Sequence, residues 1–372
     1  MRPIRVMEVL EATAGGTRRH LRDLVHHLDR QRFDLTLVVS TLRDPDFHRD
    51  IALFHMEGVR VEILQMNRHI TVGGDIRAVV EMSNLFRQYK PDVIHAHSSK
   101  AGMVARLAAR RSGRIPVVYT PHALAFLSDS IFRKLYLALE RRVAGYTRCL
   151  IAVSKEECDL AMDKRYGLAM DPKRVKLIPN GVDTGTLRPI DKRERQMVGF
   201  VGRLCRQKGP DFFLTVARNL YNSDKTLCFR MVGSGPWERW VMAKAARLGL
   251  SNCMEIKNVR DEVEAFDELA EMSLLLLPSR WEGLPYSLLE AMSVGVPTVA
   301  MAAGGIGDVI ESGRSGFLCD IGDVHGMALQ AQAVLRQAAL SEQIRVAAHK
   351  RLAEFSLQKM VAETAKVYEE IA

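Results

Sequence analysis

Residues 197–209 read MVGFVGRLCRQKG. Met197–Val201 carry the short apolar, β-rich character of a buried strand, and Gly202 ends it. In the loop that follows, Arg203 and Lys208 stand between Gly202 and Gly209. Ligands of open α/β sheets settle outside the carboxyl ends of strands. Two cations fixed there can converge on one diphosphate and do the work of a divalent metal on a leaving group. Any loop can carry Arg and Lys; the flanking glycines and a second motif at residues 279–290 give this one its weight. The strand also restarts a pattern that has already run through the first half of the chain, so a second Rossmann-like unit begins here.

Outward from that point, short β-rich runs alternate with longer segments of helical period, which predicts an α/β chain with doubly wound parallel sheets. In the first half the expected strands are Ile4–Leu10, Leu35–Val39, Val61–Ile63, Val93–Ala96, Val117–Thr120 and Cys149–Val153. Helical stretches fall between them at Thr17–Leu28, Asp75–Gln88 and Lys100–Ala109. In the second half Leu227–Val232, Met254–Ile256, Leu274–Leu277 and Thr298–Ala300 follow Met197–Val201. Between the halves, Ile178-Pro179-Asn180-Gly181-Val182-Asp183 breaks any regular element and is read as the hinge. The expected domains are 1–183 and 184–355, with 356–372 crossing back to the first as the helix Leu357–Ile371. At 372 residues the chain exceeds what one core supports, in agreement with two domains.

With 47% apolar and 26% charged residues the composition is that of a soluble globular protein. Six cysteines are scattered without a CxxC or a Cys/His cluster of ligand spacing, so free thiols in a reducing cytoplasm are expected. Glu8 and Glu11 interrupt the first apolar segment before it could serve as a signal-peptide core. No uncharged apolar run approaches the roughly 18 residues that a spanning helix needs, so any membrane contact is peripheral. Residues 1–183 hold 30 Lys and Arg against 21 Asp and Glu, and the remainder is balanced at 23 of each, so the whole +9 lies in the first half. Such a patch suits a polyanion, an anionic leaflet or a phosphate-bearing acceptor, or is simply a solvated basic face.

Three further stretches carry chemistry. Gly15 and Gly16 lie between the first strand and the next helix, where glycine permits close approach to a phosphate and a helix start offers N–H groups. A turn that binds nothing fits equally, and GxGxxG spacing is absent. Val232-Gly233-Ser234-Gly235-Pro236 repeats the arrangement, with the proline suited to a first helical turn. The strongest motif is Ser279-Arg280-Trp281-Glu282-Gly283-Leu284-Pro285-Tyr286-Ser287-Leu288-Leu289-Glu290. Glu282 precedes a helix expected to begin near Pro285, and Glu290 lies about two turns on; carboxylates of this kind accept from vicinal hydroxyls, as on ribose or a hexose.

Taken together, Gly15-Gly16, Asn180-Gly181-Val182-Asp183, GRLCRQKG, VGSGP and EGLPYSLLE resemble glycosyltransferase family 4 over nearly the whole chain. The resemblance implies a GT-B fold, two Rossmann-like domains facing a central cleft, and transfer from a nucleotide-sugar donor with retention and without a metal or other cofactor. It places Glu290 on ribose, Glu282 on donor-sugar hydroxyls, and Arg203 and Lys208 on the diphosphate. Gly15, Gly16, Gly202, Gly233, Gly235, Gly283, Leu284, Pro285 and Tyr286 complete the expected donor site. Tyr119-Thr120-Pro121-His122-Ala123 resembles the family's segment with an active-site histidine, so His122 is expected near the reacting centre. Ala123 departs from the glycine that often follows this histidine. His95 and His97 are assigned packing or supporting roles, and Asp44-Pro45-Asp46, a DxD like that of another transferase fold, is read as coincidence.

The implied mechanism is a front-face substitution catalysed by His122, Glu282, Arg203 and Lys208, with domain closure excluding water. The basic stretch Arg106, Arg110, Arg111, Arg114, Arg133, Lys134, Arg141 and Arg142, interleaved with Phe132, Leu135, Tyr136 and Leu139, reads as a surface for an anionic membrane. Core packing of those apolar residues is the ordinary alternative. A lipid-linked saccharide or glycan acceptor in envelope or exopolysaccharide synthesis follows as the working expectation, with a UDP-sugar donor favoured over GDP and a cytoplasmic location, peripheral on the inner face. The rivals are a sugar-nucleotide epimerase of the same fold and a nucleic-acid binder, ranked last because paired carboxylates repel a polyanion.

Overall fold

The computed structural model describes residues 2–127, 131–184, 196–259 and 262–372. The chain forms two compact units, residues 1–180 with 358–372, and residues 181–357.

In the first unit β1 (Ile4–Leu10) leads into α1 (Gly16–His27), β2 (Phe33–Val39) into α2 (His48–Met56), and β3 (Arg60–Ile63) into α3 (Val72–Tyr89). Then come β4 (Val93–His97), α4 (Ser99–Arg111), β5 (Val117–Thr120), α5 (Arg133–Ala144), β6 (Cys149–Ala152), α6 (Lys155–Met162) and β7 (Val175–Leu177). The strands form one parallel sheet in the order β3-β2-β1-β4-β5-β6-β7. Strand alternation sorts its two faces. Met7, Val9, Ile94 and Ala96 pack with Ala101, Val104, Ala105 and Ala108 of α4 and Met82 and Phe86 of α3. Glu8, His95 and His97, on the intervening positions, are fully buried all the same.

The second unit runs β8 (Met197–Val201), α7 (Pro210–Ser223), β9 (Cys228–Val232), α8 (Glu238–Arg247), β10 (Met254–Lys257), α9 (Glu262–Ala270) and β11 (Leu274–Leu277). It continues with α10 (Tyr286–Val294), β12 (Thr298–Met301), α11 (Ile306–Val309), β13 (Phe317–Cys319), α12 (Val324–Arg336) and α13 (Ala338–Arg351). Its parallel sheet has the order β10-β9-β8-β11-β12-β13. The core joins Val198, Phe200, Phe213, Phe229, Leu274 and Leu276 to Met327 and Ala331 of α12. The last helix, α14 (Leu357–Ile371), belongs almost wholly to the first unit.

Where the chain leaves the first unit, Val182 N–H donates to Phe355 O at 3.0 Å and Leu357 N–H to Val182 O at 2.9 Å. A side chain at Gly181 would meet Ser356 O at 2.5 Å, so glycine is required for this pairing.

Both sheets match the doubly wound expectation, and two strands exceed it. β7 and β13 hold 3 residues each, too few for a period to register. Pro236 lies outside the helix expected to hold it, since α8 starts at Glu238 behind Trp237. Arg106 is not part of the basic surface. It is fully buried, with its Nη2 2.7 Å from Glu140 Oε2 and its guanidinium 4.1 Å over the Tyr119 ring, because α4 packs this face inward. All six cysteines are free thiols.

Candidate functional site

In the second unit the strand order reverses between β8 and β11, and the loops that follow these strands carry the predicted residues. The β8 loop ends in a short helical turn, Arg206–Lys208, before Gly209 turns left-handed at φ 68°. Arg280 secures the β11 loop to it: its N–H donates to Gln207 O at 2.8 Å, and its guanidinium forks onto Asp211 at 2.9 and 2.6 Å. Lys208 Nζ then lies 2.7 Å from Glu282 Oε1, which also accepts from Ser279 Oγ at 2.6 Å. Glu282 is 5% exposed, so this ion pair across the switch point is nearly dry on its acidic side.

The neighbouring loops close in on the same edge. Leu204 N–H donates to Ser234 O at 2.9 Å, and Gly305 N–H to Gly283 O at 2.7 Å. Gly233, at φ 127°, has room for no side chain, since a Cβ would meet Gly202 O at 2.4 Å; at Gly235 it would meet Leu204 O at 2.5 Å. The close approach inferred for these glycines is thus made to the adjacent β8 loop. Leu284, Pro285 and Tyr286 are buried where α10 begins, with Pro285 as its N-cap, and Glu290 is half-buried one turn in. Arg203 is half-buried in the same β8 loop as Lys208.

In the first unit the backbone is strained at the carboxyl ends of the central strands. Gly15 caps α1 at φ 64°, ψ −143°, a conformation reserved for glycine. Ser98 caps α4 at φ 73°, and His122 and Ala123, after β5, have φ 51° and 82°. These residues surround a buried chain of polar groups. Tyr368 O–H, from α14, donates to Glu8 Oε1 at 2.7 Å, and His97 Nε2 lies 2.8 Å from Glu8 Oε2. His97 Nδ1 is 3.3 Å from His122 Nε2. His95 joins Tyr368 Oη at 2.6 Å and Thr120 Oγ1 at 2.8 Å, while His20 Nδ1 meets Asn180 Oδ1 at 3.2 Å. His95 and His97 are both fully buried, and His97 alone of the two reaches the His122 ring.

Burial is the chief cause that holds the imidazoles of His20, His95 and His122 neutral. It pushes His20 down to about 3, aided by the nearby His97 and opposed by the Asn180 hydrogen bond. His122 and His95 are likewise held well below the ordinary histidine value by burial first and neighbouring imidazoles second. Among the described residues, His20, His97 and His122 come close enough to share a metal ion, as do Glu8, His95 and His97. The hydrogen bonds just described use several of the same ring nitrogens. Asp44, of the DxD sequence, is ion-paired to Arg18 at 2.9 Å.

No site role is legible in the sequence alone for His20, Tyr368 or Glu157, and Glu8 shows there only as a break in an apolar segment. The signal in two of the strands was polar residues where both faces should be apolar: Glu8 in β1, and His95 and His97, two apart, in β4.

Residues 14–186 match the model of Glycosyltransferase Family 4, and residues 195–337 match that of glycosyl transferases group 1. The chain belongs to glycosyltransferase family 4. This family 4 enzyme is 29% identical over 276 residues to the UDP-Gal:α-D-GlcNAc-diphosphoundecaprenol α-1,3-galactosyltransferase of Escherichia coli, covering 69% of this chain and 70% of that one. It is 26% identical to a putative glycosyltransferase, EpsD, of Bacillus subtilis, over 77% of this chain and 79% of that one. Its fold is that of solved GT-B glycosyltransferases. Anabaena HepE in complex with UDP and glucose superposes with a TM-score of 0.82 at 21% identity, covering 99% of this chain and 100% of that one. The family assignment sets aside the epimerase and nucleic-acid readings.

Proposed function

We propose that this glycosyltransferase moves a hexose from a UDP-sugar to a lipid-linked saccharide, with retention of configuration, at the inner face of the cytoplasmic membrane. The observation that carries the donor half is the Lys208–Glu282 pair at the strand-order reversal, 2.7 Å apart among glycine-bearing loops. A donor entering there exchanges the Lys208 contact from carboxylate to diphosphate, and frees Glu282 to accept from sugar hydroxyls. Arg203 adds a second cation, and Glu290 is assigned to the ribose. Gly283, Leu284, Pro285 and Tyr286 present the start of α10, whose first N–H groups lack helical partners.

In this reading the anomeric C1–O bond to the leaving diphosphate breaks as the acceptor oxygen attacks from the same face. The departing phosphate oxygen takes the acceptor's proton, so no enzymic nucleophile is needed. Lys208 and Arg203 stabilise the negative charge that grows on the diphosphate, and preorganised donors of this kind act most strongly where water is excluded. In the first unit His122, held neutral by burial and in ring contact with His97, is assigned to the donor sugar, and the Gly15 and Gly16 backbone to the phosphates or the sugar.

The UDP preference draws on the E. coli relative, named for a UDP-Gal donor, and on HepE, solved with UDP; GDP is the second choice. The lipid-linked acceptor draws on the same relative, which acts on a diphosphoundecaprenol saccharide. Around the start of α5, Ile131 is 91% exposed, Phe132 53% and Leu135 47%, with Arg133 and Lys134 exposed beside them and Arg142 exposed in the last turn of the helix. That mixture suits insertion into an anionic interface. No helix among the described residues is long and apolar enough to cross a membrane.

The test is a thermal-shift comparison of UDP, GDP and ADP, followed by transfer from UDP-galactose and UDP-glucose to GlcNAc-diphosphoundecaprenol. A ligand that binds the native state raises the melting point by mass action, so UDP should stabilise most and a radiolabelled hexose should enter the lipid phase. Stabilisation by GDP or ADP alone would remove the UDP assignment, and an inverted product anomer would remove the mechanism.

A further inference from the structure

We propose that Glu157 is the positioning residue that holds the His122–Ala123 turn, and with it the His122 ring, in its working place. The proposal rests on the reading that His122 serves the reaction.

The turn needs a restraint. His122 and Ala123 are consecutive non-glycine residues with φ of 51° and 82°. Each such residue costs roughly 1–2 kcal/mol in the left-handed region, and two in succession persist only where the surroundings impose them. One described contact does this from outside the loop. Ala123 N–H donates to Glu157 Oε1 at 2.5 Å.

Glu157 can reach the turn because of how α6 starts. Ser154 caps the helix, its Oγ accepting from Glu157 N–H at 3.2 Å, which is half of a capping box. In an ordinary box the glutamate would fold back onto the cap residue. Here its Oε2 takes Val153 N–H, one residue earlier, at 2.9 Å, and its Oε1 is left for the β5 loop. One carboxylate therefore ties the loop after β5 to the strand end of β6.

A structural cap alone does not account for the acid. Glu157 is 1% exposed and, among the described residues, bonded to no Lys or Arg. Burial pushes its carboxyl up to about 7, against the pull of the two amides. A glutamine would cap α6 at lower desolvation cost. Only a carboxylate presents an acceptor oxygen to both amides, and the second amide belongs to the strained turn. His122 is thus fixed at two points, its backbone by Glu157 and its ring by the 3.3 Å contact to His97.

A double-mutant cycle in the full chain tests this, with Glu157→Gln, Ala123→Gly and the two combined, and His122→Ala measured alongside. The readouts are UDP release from UDP-galactose, separated into kcat and KM, and urea unfolding. Glu157→Gln should lower kcat about 10-fold to 100-fold, the scale of a reacting group displaced by an ångström, while KM for UDP-galactose stays within about twofold, as expected for an interaction used in the transition state. Glycine enters the left-handed region without a restraint, so Ala123→Gly in the Glu157→Gln background should recover most of the lost kcat and of the lost stability. A folded Glu157→Gln enzyme with wild-type kcat, or a double variant whose losses simply multiply, overturns the proposal. If Glu157→Gln does not fold, Glu157→Asp, which keeps the charge and shortens the reach, takes its place, and wild-type kcat or multiplying losses overturn the proposal there too. Wild-type turnover in His122→Ala would instead remove the reading of His122, and the unfolding cycle between positions 157 and 123 would then judge the restraint without it.

Discussion

Lys208 and Glu282 are 2.7 Å apart, and neither could be removed without changing what the other faces. Lys208→Ala deletes the cation assigned to the leaving group, and turnover should fall about 100-fold to 1000-fold, as when one preorganised donor is lost. The fold should survive, because Ser279 Oγ still donates to Glu282 at 2.6 Å. Turnover within a few-fold of wild type in a folded Lys208→Ala enzyme would discard the assignment. Gly233→Ala tests the loop packing instead. With a Cβ 2.4 Å from Gly202 O and φ at 127°, the substitution should destabilise the second unit by about 2–4 kcal/mol, combining backbone strain with overpacking. Urea unfolding measures that loss, and an unchanged midpoint would show that the two loops part freely.

At the scale of elements, α14 contributes the one hydroxyl that both Glu8 and His95 use. Tyr368→Phe keeps the ring packed on Phe33 but strips a buried carboxylate oxygen and a buried imidazole of their partner. Leaving buried polar groups unsatisfied costs about 1–3 kcal/mol each, so unfolding of this variant should shift by at least about that much, and a neutral result would mean that water replaces the hydroxyl. The start of α5 makes a different demand, since Ile131, Phe132 and Leu135 gain nothing from the fold while exposed. Flotation with anionic liposomes should carry the wild type upward at low salt and leave an Ile131→Glu/Phe132→Glu variant behind. Equal flotation of the two would remove the membrane contact from this helix.

For the molecule as a whole, the buried imidazoles set an acid limit on stability. His20 has its pKa pushed from 6.5 to about 3 by burial, so below 6.5 the unfolded chain takes up a proton that the folded chain refuses. Stability present above 6.5 is therefore lost progressively as pH falls toward 3. Glu157 runs the other way, since a carboxyl raised from 4.5 to about 7 loses stability as pH climbs between those values. The two are separable by difference. Wild type should lose stability relative to His20→Gln on going from pH 7 to pH 5, and gain it relative to Glu157→Gln over the same interval. Flat differences would show that neither group is desolvated as the folded chain implies.

The regular elements were legible because their signals are local. Ile4–Leu10, Val117–Thr120, Met197–Val201 and Leu274–Leu277 begin and end where short apolar runs begin and end, and Leu357–Ile371 follows its helical period. Lys208 and Glu282 could be named for the same reason, each lying in a glycine-bounded loop directly after a strand. Their meeting could not be read, since 74 residues separate them and only the parallel order of β8 and β11 makes their loops neighbours. The same holds more strongly for Glu8 and Tyr368, which are 360 residues apart. Glu8 looked like an interruption in an apolar segment, and Arg106 like one more surface cation. Side-chain chemistry is written along the chain, but the burial that makes a carboxylate a support and an arginine a core residue depends on which distant elements pack over it, and packing is a property of the folded whole.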